Sequence, residues 1–109
     1  MTLTTVTASD FEEQVEKSTL PVIVLFGTTG QKSSDKMASS LEDAAKAHGA
    51  QISFLEKAFD QKDSTEKKYD VQSSPTTLFF KGGKLERTVV GFYLFDGVFK
   101  TWVEELSQA

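Results

Sequence analysis

The sequence predicts an α/β fold, a mixed five-stranded sheet with four helices in the order β-α-β-α-β-α-β-β-α. Three observations carry that reading. Val22-Ile23-Val24-Leu25-Phe26 is a continuous apolar run rich in β-branched residues, the pattern of a strand buried on both faces. Farther on, Met37, Leu41, Ala44, Ala45 and His48 recur at the spacing of one helix face. Near the C-terminus, two strand-like runs flank Lys81-Gly82-Gly83-Lys84, a hairpin turn.

Residues 3–6 alternate weakly and read as a short first strand. Ser9-Asp10-Phe11-Glu12 has the form of a capping box, with Ser9 on the N3 amide and Glu12 reaching back. The helix it opens turns Phe11 and Val15 inward, and Pro21 ends it near Ser18. The central strand follows and stops at Gly27-Thr28-Thr29-Gly30, a turn signal. The long helix after the loop closes at His48-Gly49, which predicts a left-handed glycine past its end. Residues 51–59, with Ile52, Phe54 and Leu55, form a third strand. Asp63 or Ser64 caps a short helix through Lys67-Lys68-Tyr69, and Asp60, Asp63, Glu66 and Asp70 read as a solvated acidic face without calcium-loop spacing. Residues 76–80 and 85–90 pair across the hairpin. A last helix places Phe95, Val98, Phe99, Trp102, Val103 and Leu106 on one stripe, and Trp102 reads as core. Crossovers early in the chain demand parallel strands with helices on both faces, which puts residues 22–26 at the centre of the sheet.

A chain of 109 residues suits one domain, residues 1–109. Apolar residues make up 39% and charged residues 26%, the balance of an ordinary globular protein, and nine Phe supply bulk for the interior. A net charge of −4 with interspersed signs argues against a nucleic-acid partner. No apolar run approaches the roughly 20 residues that cross a bilayer, and the N-terminus lacks the layout of a signal peptide. A soluble, cytoplasmic-type monomer is therefore expected, with no membrane partner. There is no cysteine, so the chain has no disulfide and no thiol of its own. One His without a partner removes a zinc site, and no cofactor is expected.

Several local signatures, in this order and at these spacings, resemble the thioredoxin family. They are the strand ending in Phe26, the loop into a long helix, Asp60-Gln61, and the short helix ending in Lys68-Tyr69-Asp70-Val71. Ser74-Pro75-Thr76, Lys81-Gly82-Gly83 and Val90-Gly91 complete the set. The likeness covers essentially the whole chain, with a loop around residues 92–95 one residue longer. It implies a three-layer α/β/α sandwich. Where the family carries its W-C-G-P-C motif, this chain reads Gly30-Gln31-Lys32-Ser33-Ser34, with Gln31 for the nucleophilic cysteine and Ser34 for the resolving one. Leu25 stands for the family's buried acid and Ser39 for its helix-kinking proline. Thiol–disulfide exchange needs a low-pKa thiolate and a second thiol, and neither is present. Because the neighbouring Trp, Gly and Pro have also gone while the backbone devices remain, the losses suggest a sequence chosen for folding. The resulting expectation is a designed, redox-inactive scaffold and not an enzyme. The alternative is a natural, redox-dead module that binds peptides or partners.

The same resemblance implies a cis bond at Ser74-Pro75 with a structural role, and a peptide groove bordered by Gln31, Ser74 and Gly91. An unused vestige is the plainer reading of that groove. The loop also invites a P-loop reading. However, Gln31 replaces the glycine before Lys32, and the first glycine sits one residue too close, so nucleotide binding is disfavoured. Weak anion binding at the helix N-terminus stays open on dipole grounds. Phe92-Tyr93-Leu94-Phe95 reads as part core and part helix staple, with a self-association patch as the lesser reading, and His48 as half-exposed at a helix end.

Overall fold

The computed structural model describes residues 4–7, 9–28, 30–49, 51–60, 62–91, 93 and 95–108. Nine elements follow in order. They are β1 (Thr4–Thr5), α1 (Glu12–Glu16, a π-helical turn), β2 (Val22–Gly27), α2 (Lys32–His48), β3 (Ser53–Ala58), α3 (Ser64–Lys68), β4 (Thr76–Lys81), β5 (Lys84–Val90) and α4 (Lys100–Gln108). A kinked turn, Phe95–Phe99, leads into α4. The sheet order is β1-β3-β2-β4-β5. Strands β1, β3 and β2 run parallel, β4 lies antiparallel to β2, and β5 is antiparallel to β4. This is the mixed sheet with four helices that the sequence predicts.

The central strand is apolar throughout because each of its faces meets a different core. Ile23 and Leu25 pack with Met37, Leu41, Phe79, Phe99 and Val103 under α2 and α4. Val22, Val24 and Phe26 pack with Phe11, Val15, Leu78 and Phe80 on the side of α1 and α3. Rings knit the second core: Phe11 lies 6.0 Å from Phe26 and 5.9 Å from Phe80, and Tyr69 stands edge-on to Phe80 at 5.1 Å. Alternation along a strand makes the two cores from one run of residues. Gly82 and Gly83, with φ of +60° and +79°, form the hairpin turn. At Gly83 a Cβ would lie 2.4 Å from the carbonyl oxygen of Glu16, so this turn sits directly against the backbone of α1.

Four local expectations are corrected. Ser9 does not cap α1. Its hydroxyl pairs with Thr7 Oγ1, while Asp10 Oδ1 accepts the Thr7 N–H at 2.6 Å, and this local turn takes the place of the capping box. Gly49 is right-handed (φ −61°) and continues the helical ladder by donating its N–H to Ala45 at 2.8 Å. Val98 is exposed rather than buried, because Gly97 leaves helical geometry and shifts the stripe's phase before Phe99, Val103 and Leu106 go inward. Glu66 is not solvated: it is 1% exposed and paired with a buried lysine. Leu3, Phe92 and Leu94 lie outside the described residues, as does the side chain of Phe95. Of the loop before α4, Tyr93 is half-buried with its ring edge-on to the half-buried Trp102. Among the described residues, no helix is long and apolar enough to cross a membrane.

Candidate functional site

At the C-terminal end of β2 the chain turns through Thr28 and Gly30 into α2. Gln31 donates its N–H to the Thr28 carbonyl at 3.1 Å, and Gly30 takes φ +87°. Gln31 is extended and precedes α2, and its carbonyl accepts the Asp35 N–H at 2.9 Å. Its side chain does not cap the helix. Instead its amide oxygen accepts two hydroxyls, from Ser34 and, at 2.6 Å, from Ser74.

Those two bonds assign the remaining protons. Ser74 Oγ gives its proton to Gln31, so the 2.9 Å contact with Thr28 Oγ1 has Thr28 as donor. Ser34 Oγ, also committed to Gln31, accepts the Thr28 N–H at 3.0 Å. Ser34 and Ser74 are 3.4 Å apart with no proton left between them. Ser34 is 4% exposed, and a Cβ at Gly27 would come within 3.3 Å of it, so the glycine makes room for this serine. The structure thus joins Gln31, Ser34 and Ser74 with Thr28, which the sequence did not single out. Lys32 is exposed and Ser33 half-buried, and neither joins the network.

Beside it, the Ser74-Pro75 peptide bond is cis, and the Pro75 carbonyl accepts the Gly91 N–H at 2.8 Å. Gly91 has φ +95°, and a Cβ there would meet nothing within 4 Å. Gln31, Ser74 and Gly91 therefore border one continuous rim. Chemically the rim is neutral: hydroxyls, an amide and backbone, able to donate and accept hydrogen bonds.

Sequence reading missed a second polar network on the other face of the sheet. Lys57 Nζ lies 2.8 and 2.9 Å from the two Glu66 oxygens and 3.1 Å from Asp63 Oδ2, and Glu66 also accepts the Asp60 N–H at 2.8 Å. Burial works against the ammonium, but its bonds to Glu66 and Asp63 outweigh that and raise the Lys57 pKa. The Thr65 N–H on Asp63, then Lys57, holds the Asp63 carboxyl below its ordinary value. A third cluster joins Glu16 to Lys68, at 2.8 Å, and to the Tyr69 hydroxyl. Those two donors lower the Glu16 pKa, while burial and then the bond to Glu16 push the Tyr69 phenol up to about 12. No group of three or more His, Cys, Asp or Glu among the described residues could hold a metal ion.

The profile of the thioredoxin family matches residues 2–104. The chain belongs to the thioredoxin family. A thioredoxin of Streptomyces clavuligerus is 39% identical over 89 residues, 82% of either chain. One of Rickettsia bellii is 32% identical over 88 residues, 81% of this chain and 84% of its own. Another, of Staphylococcus epidermidis, is 34% identical over 92 residues, 84% of this chain and 86% of its own.

These findings overturn two expectations. The motif's composition alone implies a designed, redox-inactive scaffold, or else a redox-dead binding module, and not an enzyme. Its relatives are thioredoxins, a family of oxidoreductases, so the kinship points to redox work and gives no support to a designed scaffold. Loss of sulfur from the motif does not by itself mean loss of function, because a missing residue type speaks only for the step that uses it. The chain has no cysteine, and that constrains how this thioredoxin-family domain takes part rather than which family it serves.

Proposed function

We propose that this chain binds extended polypeptides along the rim formed by Gln31, Ser74 and Gly91, the recognition step of thioredoxin-type redox work. The backbone of Ser74 carries the reading. Among the described residues neither its N–H nor its C=O has a hydrogen-bond partner, although Ser74 is half-buried. Backbone groups left open in this way can pair with an incoming strand, and an extended chain supplies one donor and one acceptor per residue. Gly91, with open space where a side chain would stand, lets a second backbone approach the same rim. Any thiol–disulfide step at this groove draws its sulfur from the molecules bound there, since the domain contributes none. The domain works as a monomer in a cytoplasm-type compartment.

The test is an NMR titration of the ¹⁵N-labelled protein with an extended, uncharged peptide. Saturable shifts should concentrate on the amides of Gln31, Ser74 and Gly91. Shifts confined to another face, or none, would refute the reading.

A further inference from the structure

Next to the groove a cleft of about 210 Å³ opens between the C-terminal ends of β2 and β3 and the start of α2. It is smaller than the roughly 300–1,000 Å³ pockets that bury drug-sized ligands, and of a size for one long side chain. Leu25 and Ala38 give it an apolar wall, Thr28 and Ser34 give it hydroxyls, and Asp35 and Glu56 give it carboxylates. Thr28 and Ser34 belong to the rim network as well, so that network borders both the cleft and the groove.

Glu56 is the informative residue. Its strand register sets it between Thr5 and Leu25, on the face of β3 that Phe54 shares with α2. Among the described residues its carboxylate has no hydrogen bond and no ion pair. The neighbouring charge that acts on it is Glu42 of α2, and burial, then that like charge, raises its pKa. Lys57 also lines the cleft, but its ammonium is spent on Glu66 and Asp63. A partly desolvated carboxylate without a counter-ion, in a cleft with an apolar wall, is complementary to a flexible stem with a cationic head.

We propose that this cleft receives a Lys or Arg side chain of the polypeptide bound in the groove, with Glu56 as its counter-ion and Leu25 and Ala38 against its methylenes. The inference rests on the groove reading, and its test separates the two.

In the first arm, the ¹⁵N-labelled protein is titrated with n-butylammonium chloride and, separately, with n-butanol. Butylammonium should shift the amides of Leu25, Thr28, Ala38 and Glu56 saturably, butanol should not, and Glu56→Gln should abolish the effect. Equal shifts from butanol, persistence in Glu56→Gln, or no saturable shift would each overturn the assignment of Glu56. In the second arm, two extended peptides differing only by Lys or Gln at one position are compared. Wild type should favour the Lys peptide about tenfold, the worth of a charged hydrogen bond, and Glu56→Gln should bind both alike. A Gln peptide that leaves Ser74 and Gly91 unmoved sinks the groove reading alone, because the butylammonium series still decides Glu56. Equal affinity of wild type for both peptides would sink the peptide side chain as occupant. Glu56→Gln removes a desolvated charge at constant shape, and an unchanged thermal midpoint or a raised one establishes that it is folded.

Discussion

Two polar networks flank the C-terminal ends of β2 and β3, and they are built on opposite plans. On the α2 side, Thr28, Gln31, Ser34 and Ser74 share neutral hydrogen bonds at a rim where Gln31 and Thr28 are exposed. On the α1 and α3 side, Lys57 and Glu66 are 4% and 1% exposed and form an ion pair at 2.8 Å. A neutral network can trade its partners for water or for a ligand at small cost. A buried ion pair cannot, because each charge depends on the other for the solvation it gave up. The rim can exchange its hydrogen-bond partners, whereas the ionic network fixes the frame around it.

The sharpest way to break the comparison is to remove one buried charge. Lys57→Met should destabilise the fold by about 3 kcal/mol or more, read from urea unfolding, since Glu66 is left buried without its counter-ion, with only the Asp60 N–H on it. Lys57→Met with Glu66→Leu should recover most of that loss, and a double variant as unstable as the single one would contradict the account. On the rim the effects are smaller. Ser34→Ala should cost about 1–2 kcal/mol, because the Thr28 N–H loses its acceptor at a position where Ser34 is 4% exposed. Gln31→Ala, at an exposed site that water can fill, should cost no more than about 0.5 kcal/mol.

The gentlest probe is pH. The carboxyls of Glu16 and Asp63 titrate below their unfolded values, so their stabilisation is complete above those values and is lost as pH falls through the folded ones. The Lys57 ammonium and the Tyr69 phenol titrate above theirs, so their contribution is complete below the unfolded values and is lost as pH rises through the folded ones. For Tyr69 that window runs from about 10 to about 12, and ultraviolet titration of the phenolate should place it there. The rim has no titrating group, so Gln31→Ala should leave the shape of the stability–pH curve unchanged.

What was legible in the sequence was what depends on near neighbours or on period. The uninterrupted run at residues 22–26 announced two buried faces, Asp63-Ser64 announced a helix start, of which Asp63 is the cap and accepts the Thr65 N–H at 3.2 Å, and paired glycines announced the hairpin. Periodicity failed at Val98 because one non-helical glycine resets the phase. Ser9 failed because a competing local turn, built on Thr7 and Asp10, occupied the same atoms. The charged network was hidden because acidic residues at 60–70 look alike until one is brought under a strand. Yet Lys57 lies two residues after the inward Leu55, and alternation alone would have turned it inward. The rim network needed coordinates, for Ser74 is 43 residues from Gln31 in sequence.

The contact between Gly83 and the Glu16 carbonyl has a practical side for anyone who grafts onto this domain. An exposed hairpin tip is the usual place for a tag or an inserted epitope, but here any added side chain would push on the residue whose carboxylate tethers Lys68 and Tyr69. Gly97, exposed and with nothing within 4 Å of a would-be Cβ, is the safer address for cargo.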